Sequence, residues 1–257
     1  MKLRILKSSK EKITFMLEES NPAFANAFRR VMMSEIPIMA VEYADFEENT
    51  SGLFDETIAH RIGMIPLTFD KKTYNRKEEC KCNGKGCSRC EVVLVIDKTG
   101  PCIVKAGDMK STADDVMPTD AEIPIVELLD NQKLKLEAVA QLGSGKEHAK
   151  NQAAIVGYKY APSVRTGDNP DLCVEVCPAG VFDKKDDKVR AANASSCILC
   201  MKCVDAGCAS VSADNTSFIF TVETVSGLSP EDIVESALNT IKNRADEFVD
   251  EIKKVLK

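Results

Sequence analysis

No stretch of this chain approaches the run of about 18 apolar residues that a membrane-spanning helix needs, so no such helix is expected. The opening Met1-Lys2-Leu3-Arg4-Ile5-Leu6-Lys7 is too charged and too briefly apolar for a signal peptide. The expected setting is the cytoplasm, where thiols stay reduced. An excess of basic residues is lacking too. The formal net charge of −6 has the wrong sign for a chain that wraps phosphate backbones, so no direct nucleic-acid contact and no membrane contact are expected. The pair Arg29-Arg30 reads as solvated helix charge. Tryptophan is absent. No Ser-His-Asp triad, paired carboxylates or phosphate-binding loop is visible, so no catalytic residue is assigned. The two histidines, His60 and His148, have no cysteine neighbours and read as hydrogen-bonded structural residues.

What the chain has is cysteine: ten of its eleven fall in two compact blocks. A reduced compartment makes clustered thiols metal ligands more readily than disulfides. At 257 residues the chain can also bury its core without disulfide staples.

The first block is Cys80-x-Cys82-x4-Cys87-x2-Cys90. Four thiolates in two tight knuckles have the count and reach of a tetrahedral zinc site. Asn83-Gly84-Lys85-Gly86 links the knuckles, with glycines free to take positive φ. Lys77, Lys81, Lys85 and Arg89 offer positive charge to offset a four-thiolate centre. Four protein ligands leave no open coordination position, so the site is structural. The alternative is a reduced loop without metal.

The second block runs Cys173-x3-Cys177-Pro178, then Cys197-x2-Cys200-x2-Cys203-x4-Cys208. A [4Fe–4S] cube takes three ligands from a Cys-x2-Cys-x2-Cys loop and a fourth from a remote Cys-Pro. Cys197, Cys200, Cys203 and Cys177 supply that set, for one [4Fe–4S] cluster or its [3Fe–4S] variant. A second zinc site on the same four is the alternative. Cys173 and Cys208 stand where two ligands of a second cube belong. Pro170 and Gly167 fill the other two places and cannot ligate, which leaves half a site.

Residues 2–6 and 12–18 alternate apolar and polar side chains and read as a β-hairpin. Asn21-Pro22 caps a helix that runs to about Glu35, with Phe24, Phe28 and Val31 on one face, and Pro37 stops it. A strand follows through Val41 and Tyr43. Near the end, Phe218, Phe220 and Val222 alternate as a strand buried on at least one side. Ser229-Pro230-Glu231-Asp232 then starts a helix in the manner of a capping box. Val234, Leu238, Ile241, Ala245, Phe248, Ile252 and Val255 form a heptad stripe along it. That stripe can dock on the chain's own sheet or on a partner helix. Arg165-Thr166-Gly167-Asp168-Asn169-Pro170 reads as a linker into the second cysteine block.

Three segments carry a resemblance: Asn21–Pro37, Ile58–Leu67 and Gly143–Lys150. In this order they resemble the D-type assembly subunits of archaeal RNA polymerases, counterparts of bacterial α and of the third-largest subunit of eukaryotic RNA polymerase II. The cysteine block at 80–90 is similar to the zinc loop of the eukaryotic counterpart, with one extra residue in its central spacer. The ferredoxin-like insertion resembles a feature of some archaeal members of this family.

The resemblance implies an α+β fold in three parts. These are a discontinuous α-subunit-like dimerisation domain (1–41 and 212–257), an inserted mixed α/β domain (42–165) with the zinc-type loop at 80–90, and a ferredoxin-like iron–sulfur domain (166–211). It implies a non-catalytic assembly subunit of a nucleotidyltransferase, DNA-directed RNA polymerase. Its partners would be subunit L, met through the first and last helices, then subunit N and the large catalytic subunits. Phe24, Phe28, Leu238, Ile241, Phe248 and Ile252 would be interface residues, and Arg29 and Arg30 would lie near the second-largest subunit. The competing reading is an electron-relay iron–sulfur subunit of an oxidoreductase.

Overall fold

The computed structural model describes residues 1–167, 169–185 and 188–256. Asp168, inside the expected linker, lies outside the described residues. Two compact units emerge: one joins Met1–Arg29 to Val156–Val222, the other joins Arg30–Ile155 to the residues from Glu223 onward. Helices and antiparallel strand pairs alternate in an α+β plan.

In the first unit, β1 (Lys2–Ser8) and β2 (Lys12–Glu18) form the antiparallel hairpin that their alternation foretells. Helix α1 (Pro22–Ser34) follows. Its start is held by Asn21, whose Oδ1 accepts the Phe24 backbone N–H at 2.9 Å, as an N-cap does. Phe15, Phe28 and Phe220 meet in the core: Phe15 and Phe220 stack at 5.2 Å, and Phe28 meets Phe220 edge-on at 5.7 Å. Leu3 pairs with Leu17 and Ile5 with Phe15, so each pair shares a face of the sheet. Leu17 and Phe15 are buried, whereas Leu3 and Ile5 are about half exposed, at 49% and 57%. The apolar layer of this sheet therefore extends past what the chain itself covers.

In the second unit, β3 (Ile38–Asn49) leads to α2 (Asp55–Gly63), which buries Ile58 and Ile62. Next come β4 (Val92–Thr99), β5 (Cys102–Lys105), β6 (Lys110–Ser111), β7 (Pro124–Leu128) and β8 (Lys133–Gly143). The sheet order is β3-β8-β4-β6, with β5 and β7 as a separate pair. Its core is aliphatic: Val92, Leu94 and Ile96 of β4 face Leu134, Leu136, Ala138 and Ala140 of β8 in antiparallel register. Arg61 of α2 donates to the Ile125 carbonyl of β7 at 2.6 Å, which ties the helix to that pair.

The first unit resumes with β9 (Ala154–Thr166), α3 (Pro170–Val176), the short hairpin β10 (Asp183–Lys185) and β11 (Lys188–Arg190), α4 (Lys202–Asp205) and β12 (Ala209–Thr224). The order β1-β2-β12-β9 places strands from both ends of the chain in one sheet.

The second unit closes with α5 (Pro230–Val255). Ser229 caps it by accepting the Asp232 N–H at 3.1 Å, and Pro230 occupies the first turn. Its buried residues are Pro230, Ile233 and Ala237. The heptad stripe is a different line of side chains. Leu238, Phe248, Ile252 and Val255 on that stripe stand exposed.

Candidate metal centres

Between α2 and β4 the chain runs through a long segment with little regular structure, and all four cysteines of the first block converge there. Their sulfurs lie within 4.8 Å of one another. Individual separations are 3.6 Å for Cys80–Cys87, 3.7 Å for Cys82–Cys90 and 3.8 Å for Cys87–Cys90. The turn between the knuckles needs left-handed backbone at Asn83, Gly84 and Gly86. At Gly86 the positive φ favours glycine, and a side chain there would displace the Glu91 carboxylate.

Crowding sets the acid–base chemistry. Burial pushes the Cys90 thiol up to about 12. Burial also opposes ionisation of Cys82, but hydrogen bonds from Cys80 and Cys90 outweigh it and bring that thiol down to about 7. Four thiols this close cannot all ionise without a cation between them. The donor set can therefore hold a metal ion, and binding would release protons. Of the cations expected to offset the charge, Lys77 is engaged elsewhere. Its ammonium pairs with Glu91 at 2.6 Å, and Glu91 also accepts from Gln141 of β8 at 2.9 Å.

Cys177, Cys197, Cys200 and Cys203 all line one tight pocket of about 10 Å³, walled by Val164, Val181, Phe182 and Val211. Leu199 and Met201, two of the four residues between the loop ligands, hold φ of 58° and 62°. Left-handed backbone costs a non-glycine residue about 1–2 kcal/mol, and such strain gathers at ligand sites. Burial pushes the Cys203 thiol up. The Lys159 ammonium of β9 donates to the Cys197 carbonyl at 2.8 Å, and burial pulls its pKa down.

Cys173 and Cys208, read from their spacing as half of a second cluster site, are joined to each other as a disulfide. Both are fully buried, with Cα atoms 5.6 Å apart. Bonded sulfurs are not open ligands, so this arrangement replaces the half site. Phe28 needs a similar correction. It is 1% exposed and packed on Phe15 and Phe220, so it is a core residue and not a surface contact. Phe24 is half-buried and stacks on Phe28 at 5.9 Å. Arg29 contacts Asn26 through its guanidinium, Arg30 is exposed, and Ile241 is half-buried.

The histidines stand apart from both cysteine sets. His60 and His148 line a hollow of about 230 Å³ with Glu42 and Lys150. His148 accepts the Lys150 N–H on Nδ1 at 3.0 Å, a capping role. Lys159 and the cluster of Glu35, Lys146 and Arg244 carried no local sequence signal, because their partners are distant along the chain.

Fold and site together describe a two-unit α+β protein with a compact metal-binding loop and a second cysteine-lined pocket. Residues 47–158 match the family model described as the RNA polymerase Rpb3/RpoA insert domain. The chain is 38% identical to the DNA-directed RNA polymerase subunit Rpo3 of Archaeoglobus fulgidus, over 96% of each chain. It is 37% identical to that of Methanosarcina acetivorans, over 97% of each, and 34% identical to that of Thermococcus kodakarensis, over 99% of each. The chain belongs to the family of archaeal DNA-directed RNA polymerase subunit Rpo3. The resemblance of its three motifs is thereby confirmed, and the electron-relay reading has no support among these relatives.

Proposed function

We propose that this chain is a non-catalytic assembly subunit that pairs with the small subunit L. The pair would then serve as the platform for subunit N and the large catalytic subunits in the cytoplasm. The observation that carries this reading is the uncovered stripe of α5, where Leu238 is 40%, Phe248 67% and Ile252 40% exposed. Heptad spacing suits such a stripe to a partner helix. Leu3 and Ile5, uncovered on the first sheet, add apolar surface that a lone chain would not favour. Arg29 and Arg30 would face the second-largest subunit, by the family motif they occupy.

The test is co-purification with subunit L after Leu238→Asp and Ile241→Asp together. Loss of the partner is expected, and retention would make α5 an internal brace only.

Zinc is the metal that suits the first site. Bonds of about 2.3 Å at tetrahedral angles place sulfurs about 3.8 Å apart; three of the six separations here are 3.6–3.8 Å, and all lie within 4.8 Å. When bound, zinc cross-links Cys80, Cys82, Cys87 and Cys90 and fixes the loop. Cys177, Cys197, Cys200 and Cys203 line one pocket and carry the Cys-x2-Cys-x2-Cys loop with a remote Cys-Pro, the ligand pattern of a multi-iron cluster. Metal analysis of anaerobically purified protein should give about one zinc and four irons per chain. About eight irons, or none after anaerobic reconstitution, would overturn the cluster assignment.

A further inference from the structure

Lys159 sits in β9 between Tyr158 and Tyr160, which both turn towards Phe218 at 5.7 and 5.3 Å. Strand alternation sends Lys159 to the opposite face. There its half-buried ammonium donates to one neutral acceptor, the Cys197 carbonyl, at 2.8 Å. Among the described residues no carboxylate pairs with it. The group it touches heads the ligand loop Cys197–Cys203, and Val164 of the same strand walls the pocket into which the four cysteines open. Four thiolates around an iron–sulfur core carry net negative charge. Among the described residues Lys202 is the cation that lines that pocket, and Lys159 approaches the ligand loop from outside the lining, through the Cys197 carbonyl.

We propose that Lys159 is the counter-cation of this centre: anchored on the Cys197 carbonyl, it offsets the negative charge of the bound cluster and holds the head of the ligand loop. The inference rests on the iron–sulfur reading above. Lys159 touches no iron and is a positioning residue, acting through charge and through the loop. Its charge favours the more negative, reduced form of the cluster, as cations near such centres do.

The full chain, reconstituted anaerobically, is compared with Lys159→Arg, Lys159→Gln and Lys159→Met. Reduction midpoints and the rate of iron loss to a chelator are measured for each. With Gln or Met the reduction equilibrium should fall about tenfold, a shift of about 59 mV to more negative potential for one electron. Iron loss should quicken several-fold, while Arg stays near the parent on both counts. The metal-free chain should respond with the opposite sign. Lys159→Met should melt no lower than the parent, because it removes a half-buried charge that nothing then compensates.

Midpoints unchanged in both neutral variants would reduce Lys159 to a mechanical anchor and overturn the proposal. If the neutral variants assemble no cluster while Arg does, the charge requirement stands. If Arg fails with them, it falls. If the parent chain takes up no iron, the iron–sulfur reading itself fails, an outcome distinct from a parent that loads normally and variants that match it.

Discussion

Arg76 and Glu147 meet at 3.0 Å, joining the segment just before the first cysteine block to the Gly143–Lys150 motif of the family. Glu147 also accepts the Ser144 N–H at 2.6 Å, so the same carboxylate closes its own loop. That backbone hydrogen bond comes first in holding Glu147 below the usual carboxylate range, with Arg76 adding to it. Beside this bridge, Asn75 donates to the Arg89 carbonyl at 2.8 Å, and Lys77 reaches Glu91. The metal loop is thus closed on itself by Asn75–Arg89 and Lys77–Glu91, tied to β8 by Gln141 on Glu91, and tied to the motif by Arg76 on Glu147.

Removing the metal should therefore loosen the motif as well as the loop. Chelation is expected to speed amide hydrogen exchange across residues 144–150 about threefold, the size expected for a partly exposed ion pair. Arg76→Ala in the metal-loaded chain should give the same increase, and chelation should then add nothing. Independent, additive effects would mean that the bridge does not carry the coupling.

A second carboxylate gives a pH test. Burial drives the Glu35 pKa up, but hydrogen bonds and charge from Lys146, at 2.8 Å, and from Arg244 of α5 prevail and set it below its ordinary 4.5. A depressed carboxylate pKa contributes stability above the unfolded value, and that stability is lost as pH falls through the folded value. Glu35→Gln should cost about 1–2 kcal/mol at neutral pH. The gap between parent and variant should close below pH 4.5. A gap that stays constant from pH 7 to 3 would show that Glu35 acts by packing alone.

Local features were legible in the sequence because their physics is local. Ser229-Pro230 starts a helix through contacts within one turn, and Asn21-Pro22 does the same. The Cys80–Cys90 knuckles lie within eleven residues, so spacing alone encodes their convergence. Glu35 and Arg244 are far apart in the chain, and nothing near either one announces the other. Phe28 shows a different gap. Periodicity marks an apolar face but does not say whether the chain or a partner covers it, and here Phe15 and Phe220 do. Cys173 and Cys208 carried a ligand motif's spacing, yet their pairing depends on how α3 and β12 begin in space.

The phenylalanine cluster makes a stability prediction. Phe220 is fully buried and contacts the rings of Phe15, Phe28 and Tyr158. Phe220→Ala deletes those ring contacts and leaves a cavity, so denaturation should show a loss of about 3–5 kcal/mol. Phe248→Ala, at a position 67% exposed, should change the stability of the lone chain by less than about 0.5 kcal/mol. It should instead weaken co-purification with subunit L. Equal losses at the two positions in the lone chain would contradict the division into a covered core and an uncovered stripe.

Thiol counting decides between the disulfide and the half site. With Cys173 and Cys208 bonded, nine cysteines remain free. The metal-free chain, denatured without reductant, should titrate nine thiols, and eleven after reduction. The bond closes a loop over a sequence separation of 35 residues. Chain-entropy reasoning gives such a loop about 4 kcal/mol, as an upper figure. Cys173→Ser with Cys208→Ser should therefore lower the melting temperature of the metal-free chain while leaving the iron count near four. Eleven thiols without reductant, together with an iron count that drops in the double variant, would return both cysteines to the role of cluster ligands.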